Sequence, residues 1–233
     1  MIYITSDIHG EYDQLMQLLE KVSFSDKDML YVLGDVIDRG PKSIETLEYM
    51  MEHKNIIPLV GNHEVMGVVC LRYLMETPTD NVRRIDPDML DRLYEWKCNG
   101  GVKTADDFYA LSPDKQKMLI DYLENFSMYE VLFLKNTYYV LVHAGLGNFT
   151  ASKQLMDYTV DELVWDRPDY QKAYFNDAYV VTGHTPTQLI EGNDKPGYIY
   201  RKNNHIALDC GACFPDGRLA MICLDTGEEF YSR

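Results

Sequence analysis

"GDVIDRG", Gly34 to Gly40, carries two carboxylates, Asp35 and Asp38, three positions apart, and Arg39 follows the second. The loop leaves "MLYVL" (29–33), which reads as a strand. A turn needs glycine and at most one Asp. It does not need two negative charges and a positive one within five residues, so this density where a buried strand ends implies a chemical task.

The same arrangement recurs on both sides of the loop. "IYITS" (2–6) reads as a strand, and an amphipathic helix follows with Tyr12, Leu15, Leu18, Leu19 and Val22 on one face. After the loop comes a helix over 43–52, with Pro41 near its start and Ile44, Leu47 and Met51 as its stripe. "IIPLV" (56–60) and "EVMGVVCLRYLM" (64–75) repeat strand and helix. Strands alternating with helices at about 30 residues predict crossover units and a parallel sheet. Residues 76–127 read instead as an inserted helical lobe, with "DMLDRLYEWK" and "SPDKQKMLIDYLENF" joined by "CNGG", and Ser112 capping ahead of Pro113. From 128 onward strands dominate and predict a largely antiparallel sheet, with "PDG" (215–217) as a hairpin signal. One domain over 1–233 is expected, in the α/β class.

Composition bounds the task. Net charge is −15, from 22 basic and 37 acidic residues. That balance argues against nucleic acid as a partner, since such binding draws on Lys and Arg. The surplus acid reads as solvated surface. "MIYITSD" reaches Asp7 without a basic start or a long apolar run, so no secretory signal is expected. The longest uncharged run, 136–152, has 17 residues and contains His143, short of the ~20 apolar residues of a membrane helix. No membrane partner is expected. Five cysteines are an odd number without a framework, which fits reduced thiols and a cytoplasmic location. "CGAC" (210–213) reads as small residues at a strand end rather than a redox pair.

Each of the first three strands ends in a polar burst: "SDIHG", "GDVIDRG" and "GNHE". Asp7 and Asp35 are 28 residues apart, and Asp35 and Asn62 are 27 apart. One crossover unit separates each pair, so the bursts emerge at one sheet edge, where ligands sit in open α/β sheets. Two later strands end likewise, delivering His143 and His184. Singly, each feature has a bland explanation: a turn, a helix cap, a core histidine. Together, His9, His63, His143 and His184 share the edge with Asp7, Asp35 and Asn62. His53 and His205 lack that context and read as structural. Burying unpaired carboxylates costs several kcal/mol each. Divalent cations relieve that cost, and mixed carboxylate and imidazole donors suit Mn, Fe, Zn or Co. So many ligands match two metals about 3.5–4 Å apart, with the central Asp35 as bridge.

The ordered set "SDIHG…GDVIDRG…GNHE…HAG…GHTP", over residues 6–186, resembles the calcineurin-like metallophosphoesterases. Within them it resembles the phosphoprotein phosphatases, in their compact bacterial and phage serine/threonine type. "ALDCGACFPDGRL" resembles that family's closing strands. The resemblance implies two mixed β-sheets packed face to face with flanking helices. It implies one metal on Asp7, His9 and Asp35 and a second on Asp35, Asn62, His143 and His184, with manganese expected first. His63 is then the general acid, oriented by Asp38. Arg39 grips phosphate, and Arg167 in "VWDRP" is the second such arginine. Ser6 stands where a glycine is common. "EWKCNGGVKT" (95–104) resembles a segment of the same bacterial enzymes.

These roles imply hydrolysis of phosphoserine or phosphothreonine in a phosphoprotein or phosphopeptide, by direct attack of a hydroxide bridging the metals. The rival within the same frame is a dinucleoside polyphosphate hydrolase such as a bis(5'-nucleosyl)-tetraphosphatase, or a broad small-molecule phosphoesterase. In the dinucleoside enzymes "DRG" tends to read "NRG", so Asp38 favours the phosphatase. A metal-bearing scaffold without catalysis predicts loss of His63 or Arg39, and both are present.

Overall fold

Ile2–Thr5 (β1), Met29–Val32 (β2) and Ile56–Pro58 (β3) pair in parallel with β2 in the middle, as the alternation predicts. Tyr12–Lys21 (α1) and Ser43–Glu52 (α2) make the two crossovers, and Asn62–Glu76 (α3) leaves β3. The computed structural model describes residues 1–77 and 86–232; residues 78–85 of the expected insertion lie outside the described residues. The rest of the lobe is Pro87–Cys98 (α4), Val102–Tyr109 (α5) and Pro113–Leu123 (α6). Ser112 caps α6 by accepting from the Lys115 N–H. The sequence did not reveal α5. It is short, buries only Thr104 and Phe108, and follows two glycines that read as a stop.

The second half departs from an antiparallel sheet. Tyr129–Leu134 (β4), Thr137–Val142 (β5), Ala178–Thr182 (β6), Tyr200–Lys202 (β7) and His205–Ala207 (β8) form a second sheet in the order β4-β5-β6-β8-β7. Its central pairs, β5 with β6 and β6 with β8, are parallel. The 35 residues between β5 and β6, with Val160–Val164 (α7), supply the long crossover that parallel neighbours require. Ala220–Cys223 (β9) and Glu229–Tyr231 (β10) leave this sheet and join the first beside β1. "PDG" is therefore a passage between sheets, not a hairpin; its Gly217 N–H donates to the Phe214 carbonyl at 3.0 Å.

The two mixed sheets pack face to face over Ile4, Leu33, Leu59, Leu141, Val181, Ile206 and Ile222. On the other face of the first sheet, Leu15, Leu18, Ile44, Leu47 and Met50 pack with Leu30, Val32 and Ile56. Each such side chain contributes about 1.5–3 kcal/mol on burial. Among the described residues, no helix is long and apolar enough to cross a membrane. The sandwich brings the carboxyl ends of β1, β2, β3, β5 and β6 to one edge.

Candidate metal centre

The loops at that edge are tied together before any side chain is considered. The Asp7 N–H donates to the Gly34 carbonyl at 3.1 Å and the His9 N–H to the Asp35 carbonyl at 2.8 Å. The Gly183 N–H, after β6, donates to the His143 carbonyl, after β5, at 2.7 Å. The loops turn so sharply that Asp7, His9, Asp35, Asp38, Arg39 and His184 all take positive φ, between 47° and 72°. Gly40 admits the close approach: a Cβ there meets the His9 carbonyl oxygen at 2.0 Å.

Two three-residue clusters present ligand atoms within 4.8 Å of one another: His9–Asp35–His63 and Asp35–His143–His184. Asp35 is common to both, the position expected of a bridge. Asn62 Oδ1 lies 3.0 Å from His143 Nε2 and 2.9 Å from His184 Nδ1. His9 Nδ1 is 2.9 Å from the Ile37 carbonyl, and His143 Nδ1 is 2.6 Å from that of Leu33. Carbonyls there fix Nδ1–H and aim the Nε2 lone pairs inward. Asp7 is buried but outside both clusters. Its carboxylate accepts the His184 N–H at 3.0 Å and the hydroxyl of Ser6, the residue that replaces the usual glycine.

The donor set fits divalent cations. Burial, with His143 beside it, pushes His184 down to about 3, and burial also lowers His9 to about 3 and His143, a direction that favours the lone pair a cation takes. Burial, then the Asp209 and Asp35 charges, pushes Asp7 well above the carboxylate range, and burial takes Asp209 up to about 6. Burial opposes Asp35 as well, but four surrounding imidazoles hold it low. Buried carboxylates in mutual repulsion are the mark of absent positive charge. Arg39 takes up part of it, with Nη1 2.9 Å from His9 Nε2 and Nη2 2.9 Å from His63 Nε2.

His63 differs from the other three histidines. Burial lowers it, but Asp35 and its hydrogen bond to Asp38 win and raise its pKa. Asp38 Oδ2 sits 2.8 Å from His63 Nδ1 and accepts the Trp96 indole N–H at 2.8 Å. The lobe segment 95–104 thus buttresses this loop. The Gly100 carbonyl accepts the Arg39 N–H at 3.1 Å, and Thr104 Oγ1 accepts the Asp38 N–H at 3.1 Å. Gly100 holds φ 102°, and a Cβ on it meets Arg39 Cγ at 2.8 Å.

Sequence reasoning missed Glu64. Its buried carboxylate accepts four backbone N–H groups, from Gly61, Asp35 and Val36 at 2.8 Å and from Ile37 at 3.3 Å. It clamps the Asp35 loop to the start of α3. Burial and Asp35 push it up to about 7 against those donors. The signal was the Glu three residues after Gly61, a capping-box spacing.

Above the centre opens a cleft of about 480 Å³ lined by Arg39, Asn99, Trp165, Arg167, Leu189 and Phe214 among others. Arg167 is exposed there, on the cleft wall with Arg39. His53 and His205 lie elsewhere, stacked on Tyr49 and packed between Tyr170 and Tyr174.

The family model for calcineurin-like phosphoesterases matches residues 1–222. The chain belongs to that family. It is similar to a symmetrical bis(5'-nucleosyl)-tetraphosphatase of Vibrio campbellii, at 29% identity over 95% of this chain and 71% of the relative. It is also similar to one from Buchnera aphidicola, at 48% identity over 27% of this chain and 23% of the relative. A serine/threonine phosphatase structure from Saccharomyces cerevisiae shares the fold with a TM-score of 0.61 and 18% identity, covering 98% of this chain and 79% of that one. The family's dinuclear metal dependence agrees with the two clusters sharing Asp35.

Proposed function

We propose that this phosphoesterase cleaves dinucleoside polyphosphates at a phosphoanhydride. The observation that carries the reading is the open cleft, with two arginines and two aromatic side chains, Trp165 and Phe214, around one metal centre. Arginines suit a chain of phosphates and aromatic faces suit bases. The tetraphosphatase activity named for both sequence relatives supports it.

His9, Asp35, Asn62, His143 and His184 hold the cations, with Asp7 supporting them from the His184 side; manganese is the first metal to test. When bound, the cations supply a nucleophilic water at neutral pH and charge for the phosphate oxygens. Arg39 and Arg167 bind the remaining phosphate oxygens. Arg39 also moves: while it donates to His63 Nε2, that nitrogen holds no proton. A phosphate oxygen is the better acceptor, so substrate draws Arg39 away and frees Nε2 to take a proton. His63, held at Nδ1 by Asp38, is then placed to protonate a leaving oxygen that needs a proton.

The His63–Asp38 pair favours a second reading, a phosphoserine or phosphothreonine phosphatase. An alkoxide leaves only with a proton, whereas a nucleotide phosphate leaves readily without one. Kinetics on diadenosine tetraphosphate and on a phosphoserine peptide, with wild type and Asp38→Asn, separate the readings. Efficient cleavage of the tetraphosphate, little changed by Asp38→Asn, is expected. Turnover of the peptide alone, lost in the variant, overturns the first reading for the second.

A further inference from the structure

A second cavity of about 450 Å³ lies beside the metal cleft, lined by Val65, Met66 and Val69 of α3, Arg92 and Glu95 of α4, and Asp161 and Trp165. Trp165 lines both cavities. Its ring meets that of His184 edge-on, with centroids 6.1 Å apart, so one side chain joins the centre to the second space. The volume falls within the ~300–1,000 Å³ of small-molecule sites. The lining is mixed in a way that suits one kind of guest. Three apolar side chains and an indole offer apolar contact, Glu95 and Asp161 offer acceptors, and Arg92 offers donors. A nucleoside has the matching parts: an aromatic face, and ribose hydroxyls and a base amino group that donate. A bare phosphate chain has no face for the indole and meets two carboxylates against a single guanidinium, that of Arg92.

The geometry points to this cavity as a nucleoside subsite, which holds one nucleoside of a substrate whose phosphates lie over the metals, with Trp165 as the stacking face between. The inference rests on the polyphosphate reading and deepens it. Hydrolysis at the central anhydride adds water across one P–O bond and gives two nucleoside diphosphates, so each product half carries the group this cavity recognises.

The test is calorimetric titration of the metal-loaded chain with ADP and with inorganic pyrophosphate, which share phosphates and differ in the nucleoside. ADP is expected to bind at least ~10-fold tighter, the order of one base–aromatic stack. Trp165→Leu, at a side chain 37% exposed, should erase most of that ratio, and so should Val69→Gln, at one 39% exposed. Equal binding of the two probes to wild type, or a ratio kept in both variants, overturns the subsite. Diadenosine tetraphosphate turnover is read separately. If ADP keeps its advantage but the tetraphosphate is not cleaved, the substrate reading falls and the subsite stands. If it is cleaved while ADP has no advantage, the subsite falls alone.

Discussion

The rim where five strands end and the helical lobe beside it differ in how their backbones are held. Six non-glycine residues of the rim take positive φ, whereas between α4 and α6 the only positive φ belongs to Gly100. Each such rim residue costs on the order of 1–3 kcal/mol and persists only where its surroundings over-determine it. Here they do: Glu64 alone fixes four N–H groups across two loops. The lobe is regular helix, and Trp96 is the sole buried side chain of α4. It reaches the rim through Trp96, Gly100 and Thr104. The rim therefore gathers the metal-ligating side chains, and the lobe touches the His63–Asp38 pair within it.

If that division holds, rim substitutions should act on metal and turnover together. Asp35→Asn removes the carboxylate shared by both clusters. Metal affinity should fall by more than ~100-fold, because even outer hydrogen-bond partners of a ligand are worth 10–100-fold. Elemental analysis of the purified variant should find fewer than two ions per chain and turnover near background. Two retained ions with ordinary turnover would place the centre elsewhere.

His63→Asn cuts inside the rim itself. His63 falls within one ligand cluster, yet its pKa is raised while its neighbours are lowered. As a proton donor it is worth ~10²–10⁴ in rate on an alkyl phosphate, with metal content kept. If the variant purifies with one ion where wild type holds two, His63 is a ligand instead.

Thermal melts give a smaller signal with a definite sign. In the chain alone Asp7 and Asp209 have raised pKa values, so their contribution to stability is full below the unfolded pKa, near 4. It is lost as pH rises through the folded values, about 6 for Asp209. Cations at the centre favour the ionised form of nearby carboxylates and so release those protons. The Tm gain on adding manganese should therefore be larger at pH 8 than at pH 5, with each kcal/mol worth about 2–4 °C at this chain length. A gain independent of pH would separate the metals from these carboxylates.

The rim was legible in sequence because strand ends are marked by local composition. Charge following "IYITS", "MLYVL" and "IIPLV" placed Asp7, His9, Asp35 and Asn62 at one edge, and the regular spacing made β1, β2 and β3 parallel. The pairing of the later strands was not legible. Short β-rich runs look alike whether they join one sheet or the other, so the return of β9 to β1 carried no local mark. Asp7 shows a similar limit. Its motif placed it among the ligands, but only the fold shows its carboxylate turned to Ser6 and the His184 N–H. The lobe's contact with Asp38 depends on an indole 58 residues away, a distance no periodicity encodes.

That contact gives the finest test of the division between rim and lobe. Asp38 Oδ2 accepts from both His63 and Trp96, and Oδ1 has no hydrogen-bond partner among the described residues. Trp96→Phe removes one of two donors on the same oxygen. The carboxylate then leans harder on His63 and makes the imidazole more basic. Because the acid works only while protonated, the alkaline limb of the rate profile on an alkyl phosphate should move to higher pH, with turnover at the optimum changed only a few-fold. Stability should fall by about 1.5–3 kcal/mol for a hydrogen bond to a charged group, read by urea unfolding. A lobe that merely props the fold would lose the stability and leave the limb where it was; a shifted limb shows that the lobe acts on the proton.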